Sequence, residues 1–216
     1  MSSETERART LTRRAALRAL GLTAAAAGLG ASAPAAAAPT GEVKIGLAAE
    51  PNTFDPHLTV GRNTQIFIVN VYDGLTARDA QGNLVPALAE SWKRLNPTTW
   101  QFTLRRGVKF HNGDDFNAES VKFTLDRATN PETKATISSE LSTIASTEIL
   151  DPFAVNVVTK APDFLLPVRL GELYGLMLSA KHTNAVGKEV IATRPNGTGP
   201  FKLVTWSKND RLVLEA

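Results

Sequence analysis

Leu84–Val121 reads LVPALAESWKRLNPTTWQFTLRRGVKFHNGDDFNAESV. Within it, Trp100, Phe102 and Leu104 alternate with polar residues over Thr98–Arg105, a period of two that predicts a half-buried strand. Trp92-Lys93, set off by the turn Asn96-Pro97, supplies its partner, and Val85–Ser91 ahead of the pair predicts a single helical turn. After Gly107–His111 the polar run Asn112–Asp115 is a loop. Asn117 then caps a helix to about Ala128, with Val121, Phe123, Leu125 and Ala128 on or near its buried side. Trp92, Trp100 and Phe102 are expected in the core, because large aromatics bury the most area. Gly107, Gly113, Gly197 and Gly199 are expected to allow positive φ in turns.

On the N-terminal side, Val43–Ala48 alternates apolar with small or polar residues and predicts a first strand, ended by Glu50-Pro51-Asn52. Asn63–Asp73 predicts a helix with Asn63 or Thr64 as cap and Gly74 as stop. A strand at Leu75–Asp79 and the turn Asp79–Gly82 follow. On the C-terminal side a weaker helix is expected at Thr133–Ala145, then a hairpin of Thr147–Leu150 with Val155–Thr159 across Asp151-Pro152. Pro162 opens a helix to Arg169, since proline suits a first turn. A last helix spans Ser179–Val186, and strands are expected at Phe201–Trp206 and Arg211–Glu215.

The 216 residues hold 24 Lys+Arg against 21 Asp+Glu, a net charge of +3. That surplus sits in the first 38 positions, which carry five Arg and two Glu; the remainder has nineteen basic and nineteen acidic residues. A neutral body has no basic excess to neutralise phosphates, so nucleic acid is not an expected partner. The absence of cysteine removes disulfides, thiolate catalysis, Cys-ligated zinc and lipid attachment through an N-terminal Cys.

Residues 1–37 run from a charged stretch through the apolar Ala15–Gly30 to a small-residue tail, the order of an export signal. The apolar core is too short to span a bilayer. Arg13, Arg14 and Leu17 resemble the twin-arginine pattern, and Ala35 and Ala37 offer the small residues of a cleavage site. The expected address is the periplasm, without a lipid anchor.

Several segments together resemble family 5 of the extracytoplasmic solute-binding proteins, the oligopeptide, dipeptide and nickel binders of ABC importers. They are Phe54–His57, Tyr72–Leu75, Leu84–Trp92, Thr99–Gly113, Phe116–Val121 and Gly197–Phe201. Their order and spacing agree from about residue 43 onward. The resemblance implies an α/β fold of the type II periplasmic-binding-protein kind. It implies a first lobe with the family's extra subdomain, and a second lobe absent from these residues. Lobe I core would begin at 38–57, the extra α+β subdomain would occupy 58–161, and 162–216 would return to the lobe I core, truncated.

The resemblance further implies a binding function, with a small solute, an oligopeptide or dipeptide, trapped between two closing lobes and delivered to ABC permease subunits. Export would use the twin-arginine machinery. The loop Ala49–Phe54 is where first-lobe contacts with a peptide are implied, through Glu50, Asn52, Thr53 and Phe54; a water-exposed capped turn is the plainer reading. Tyr72 either turns its hydroxyl to the cleft or sits in the core at a helix end.

His57, His111 and His182 are separated by 54 and 71 residues, without the short spacing of a metal site. No metal or cofactor is expected, and a loop hydrogen bond is the plainer role for His57. Asp114-Asp115 reads as a solvated turn, since adjacent carboxylates do not converge as an acid/base pair. No nucleophile elbow or phosphate loop occurs, so an enzyme is not expected. The alternatives are a non-functional fragment of such a binding protein or an exported hydrolase.

Overall fold

The computed structural model describes residues 41–171 and 173–216. The export-signal residues, Arg13, Arg14, Leu17, Ala35 and Ala37 among them, lie outside the described residues. Residues 46–216 belong to one unit and 41–45 to a separate one.

Four antiparallel strands make the main sheet, β3 (Ala89–Asn96), β4 (Thr99–Leu104), β5 (Ile144–Asp151) and β6 (Ala154–Thr159), in the order β3-β4-β6-β5. Trp92 pairs with Phe102 and Phe102 with Val155, so one face carries a row of large apolar side chains. Against that face packs α2 (Ala118–Thr129), whose Val121, Leu125 and Ala128 are fully buried. Asn117 caps it as its sequence predicts, its side chain accepting from the N–H groups of Glu119 and Ser120. Two hairpins flank the sheet, β1 (Thr76–Arg78) with β2 (Leu84–Pro86), and β7 (Lys202–Ser207) with β8 (Arg211–Glu215).

The core divides into two clusters. The larger joins the sheet, α2, Ile137, Leu141 and Leu166. The smaller gathers segments far apart in the chain: Phe54, then Ile68, Val71 and Tyr72 of α1 (Arg62–Val71) and the turn after it, Leu176 and Leu178, and Ile191. Leu203, Trp206, Leu212 and Leu214 of the β7–β8 hairpin pack against it. Three short helices complete the fold, α3 (Leu166–Arg169), α4 (Ala180–Val186, capped by Ser179) and α5 (Lys188–Ile191).

Five expectations are corrected. Val85–Ser91 is not a helical turn but the ends of β2 and β3, because the N–H groups of Leu88 and Ala89 donate to the carbonyls of Gly74 and Leu75. Thr133–Ala145 keeps the helical spacing of buried Ile137 and Leu141 but forms successive three-residue turns; the Thr136 N–H and hydroxyl donate to His57 C=O instead of the local backbone. The helix expected from Pro162 starts only at Leu166, because the Asp163 carboxylate takes the Leu165 N–H and its carbonyl takes the Trp100 indole. Val43–Ala48 forms no strand, and Val43, Ile45 and Leu47 are exposed. Finally, Gly107 and Gly113 do adopt positive φ, but Gly197 and Gly199 do not. Both lie so close to the Val71 backbone that a Cβ would collide with it.

Candidate functional site

The segment Glu50–His57 is bonded to five distant parts of the chain. Glu50 Oε2 accepts from Trp206 Nε1 at 3.0 Å and from the Asn209 N–H at 3.2 Å. Asn52 donates its N–H to Thr64 Oγ1 and accepts that hydroxyl at its Oδ1, 2.6 Å away. Phe54 N–H reaches Ala192 C=O at 2.8 Å. Arg127 of α2 holds Asp55, and Thr136 holds the His57 carbonyl.

A cleft of about 330 Å³ opens at the first end of this segment, lined by Glu50, Asn52 and the start of α1, Gly61–Thr64. Thr59 shapes its rim by accepting the Gly61 N–H. Gly61 has no side chain to cap the helix, so the first-turn N–H groups lack the usual oxygen partner. With Arg62 also lining the cleft, they suit a carboxylate, since a helix N-terminus carries partial positive charge. Glu50 on the other side suits an amine or a peptide N–H, whereas the Asn52 amide, its Oδ1 already accepting from Thr64 and Thr59, has its Nδ2 hydrogens to offer an acceptor. The walls thus offer both signs of partner, as the two ends of a short peptide require.

Of the five residues singled out in the sequence, the structure brings Glu50 and Asn52 to this cleft. Thr53, Phe54 and Tyr72 stand behind it. Thr53 is buried and its Oγ1 accepts the Asp55 N–H. Phe54 is fully enclosed, edge-on to Trp206 with ring centroids 5.3 Å apart. Tyr72 sits in the core, not at a cleft wall. Burial, and then the negative charge of Asp55, push its phenol well above the ordinary tyrosine range.

Beneath the cleft lies a buried polar knot that sequence reading missed. Asp55 has no exposed side-chain surface, and Arg127 grips it with both ends of its guanidinium, at 3.0 and 2.5 Å. Arg127 Nη1 also lies 2.7 Å from His57 Nδ1. Arginine can only donate, so that nitrogen is an acceptor and the His57 ring is neutral with its proton on Nε2. Burial, then the Arg127 charge, push the His57 pKa down to about 3, against the opposing pull of Asp55. Removing one member of a buried pair leaves an uncompensated charge, at a cost of about 3–5 kcal/mol. No local spacing joins Asp55 to Arg127, 72 residues away; the one signal was a basic residue beside a buried position in the last turn of α2.

His111, Asp114 and Asp115 have structural partners. His111 Nε2 meets Gly199 C=O at 2.9 Å and fastens the His-Asn-Gly turn to the Gly-Thr-Gly loop. Asp114 accepts from Asn112 and Ser179 and pairs with Lys181, while Asp115 pairs with Lys109 at the surface. Among the described residues no cluster of three His, Cys, Asp or Glu could hold a metal ion. No described helix is long and apolar enough to cross a membrane.

Comparison with known proteins gives the following. Residues 83–216 match the family described as bacterial extracellular solute-binding proteins, family 5, middle region. The chain is 35% identical over 170 residues to the glutathione-binding protein GsiB of Salmonella choleraesuis, covering 78% of this chain and 33% of that protein. It is 32% identical over 190 residues to GsiB of Pectobacterium atrosepticum, covering 86% and 37%. Among solved structures, Haemophilus influenzae OppA in complex with RPPGFSPFR superposes with a TM-score of 0.72 at 27% identity, over 77% of this chain and 36% of that one. NikZ of Campylobacter jejuni in complex with Ni(L-His) gives 0.71 at 29% identity, over 78% and 34%. The chain therefore spans about a third of the length of these relatives, which carry the type II periplasmic-binding-protein fold.

Proposed function

The chain belongs to family 5 of the bacterial extracellular solute-binding proteins, and from that premise we propose that it serves an ABC importer by capturing short peptides and passing them to the membrane permease. The observation that carries this reading is the cleft between Glu50-Asn52 and Gly61–Thr64. A short peptide brings a carboxylate for the α1 end and an amine or amide N–H for the opposite wall. Much of such affinity is spread over backbone hydrogen bonds with little demand on side chains. The names of GsiB and OppA support a peptide, glutathione being itself a tripeptide, while NikZ is in complex with a nickel–histidine species.

The work done is trapping, not chemistry. A cleft that exists open and closed is shifted toward closure by a solute that touches both walls only when closed. Glu50, Asn52 and Gly61–Thr64 lie together on one side of that closure, because Asn52 is hydrogen-bonded to Thr64; the facing wall would come from a second lobe. The protein acts in the periplasm after export through the twin-arginine route, with Arg13, Arg14 and Leu17 as the signal, cleavage at Ala35–Ala37 and no lipid anchor. Substituting Arg13 and Arg14 by Lys in a reporter fusion is expected to abolish export; export unchanged would contradict this route.

The test of function is a calorimetric panel of glutathione, dipeptides, tripeptides and the nickel–histidine complex. Binding of a peptide, weakened at least tenfold by Asn52→Ala, is expected. Binding of the nickel complex alone would overturn the peptide reading.

A further inference from the structure

We propose that Arg127 is a positioning residue for the Glu50–Asn52 wall of the cleft, acting on it through Asp55 and His57. This inference rests on the peptide-binding reading for its consequence, though not for its geometry.

Arg127 sits in the last turn of α2, outside the cleft, with 11% of its side chain exposed. It spends its donors on two residues of one loop. Nη1 and Nη2 take the two oxygens of Asp55, and Nη1 also meets His57 Nδ1. Asp55 Oδ1 in turn accepts the His57 backbone N–H at 3.0 Å, so the carboxylate joins the guanidinium to the loop backbone itself. The Asp55 N–H donates to Thr53 Oγ1, two residues nearer the cleft.

The stretch between the clamp and the wall is stiff. Pro51 and Pro56 bracket it with fixed φ, and the Phe54 N–H is held by Ala192. Asn52 is only three residues from Asp55, so a displaced carboxylate shifts the Asn52 amide rather than being absorbed between them. The fork geometry is essential: a lysine would keep the charge but give up the planar, two-pronged grip on Asp55 and the simultaneous donation to His57. Arg127 concentrates its side-chain bonds on the loop that carries the cleft wall.

The experiment compares the full chain with Arg127→Lys and with the paired change Asp55→Asn/Arg127→Met, which removes both charges and so avoids a lone buried ion. Amide hydrogen exchange and peptide affinity are read well below the melting temperature. The expected result is exchange at least tenfold faster at Asn52, Phe54 and Asp55 in both variants, with the α2 interior amides of Leu125 and Asp126 unchanged. The affinity for glutathione or the best peptide of the panel falls about tenfold in parallel. Uniformly faster exchange across α2 and the loop, or unchanged exchange in the loop, overturns the proposal. If the unaltered chain binds no peptide, the peptide reading fails, and the exchange pattern still decides whether Arg127 positions the wall.

Discussion

His57 sits in the fold as a neutral imidazole with Nδ1 committed to Arg127, and that has a consequence for acid. The unfolded chain takes up its proton near 6.5, the folded one only near 3. Between these values the unfolded state binds the extra proton. The stability this ring contributes is therefore fully present above about pH 6.5 and drains as the pH falls toward 3, by up to about 1.4 kcal/mol per pH unit. His57→Asn places an amide where Nδ1 stood and cannot titrate, so its melting temperature is expected to fall less between pH 6.5 and 4 than that of the unaltered chain. Parallel pH profiles would show that His57 does not carry the effect. At Gly197 the constraint is steric. A methyl group there meets the Val71 carbonyl and the Tyr72 ring, and overpacking of this kind costs about 1–3 kcal/mol. Gly197→Ala is expected to lower the unfolding free energy by that amount, seen as a lower denaturant midpoint at unchanged slope, and an unchanged midpoint would mean that the loop moves aside freely.

At the scale of elements, α2 shows what a sequence can disclose. Its cap, its length and its buried face follow from Asn117 and the spacing of Val121, Leu125 and Ala128, because all of these are local. Asn117→Ala removes the acceptor for two first-turn N–H groups and is expected to cost about 1 kcal/mol, read by urea unfolding. The β5–β6 hairpin was legible for the same reason, a turn between two alternating runs, and β7 and β8 were legible as strands, though not as a pair. Val85–Ser91 was not. Its Ala, Leu and Glu favour a helix, but Gly74 and Leu75 capture the N–H groups such a turn would use. Val43–Ala48 has the period of a strand, yet a strand exists only where a neighbour offers a ladder, and residue period says nothing about that. The site divided along the same line. Glu50 and Asn52 were candidates because the family resemblance pointed to their loop, whereas Arg127 enters through a contact 72 residues away that no window of sequence contains.

For the whole molecule, the two core clusters explain why the cleft lies where it does. The smaller cluster draws together Phe54, α1, Leu176, Leu178 and the β7–β8 hairpin, and Glu50 and Asn52 are fixed at its margin by Trp206, Asn209 and Thr64. The order of the segments from Phe54 to Phe201 made the family legible; the convergence of Glu50–Asn52 with Gly61–Thr64 required the fold. The central claim is that this cleft receives a peptide, and amide chemical-shift mapping tests it most directly, because it detects weak as well as tight binding. On titration with glutathione, the shifts are expected to concentrate at Glu50, Asn52 and Gly61–Thr64 and to disappear in Arg62→Ala. Shifts confined to other surfaces, or none with glutathione or any short peptide, would contradict the account.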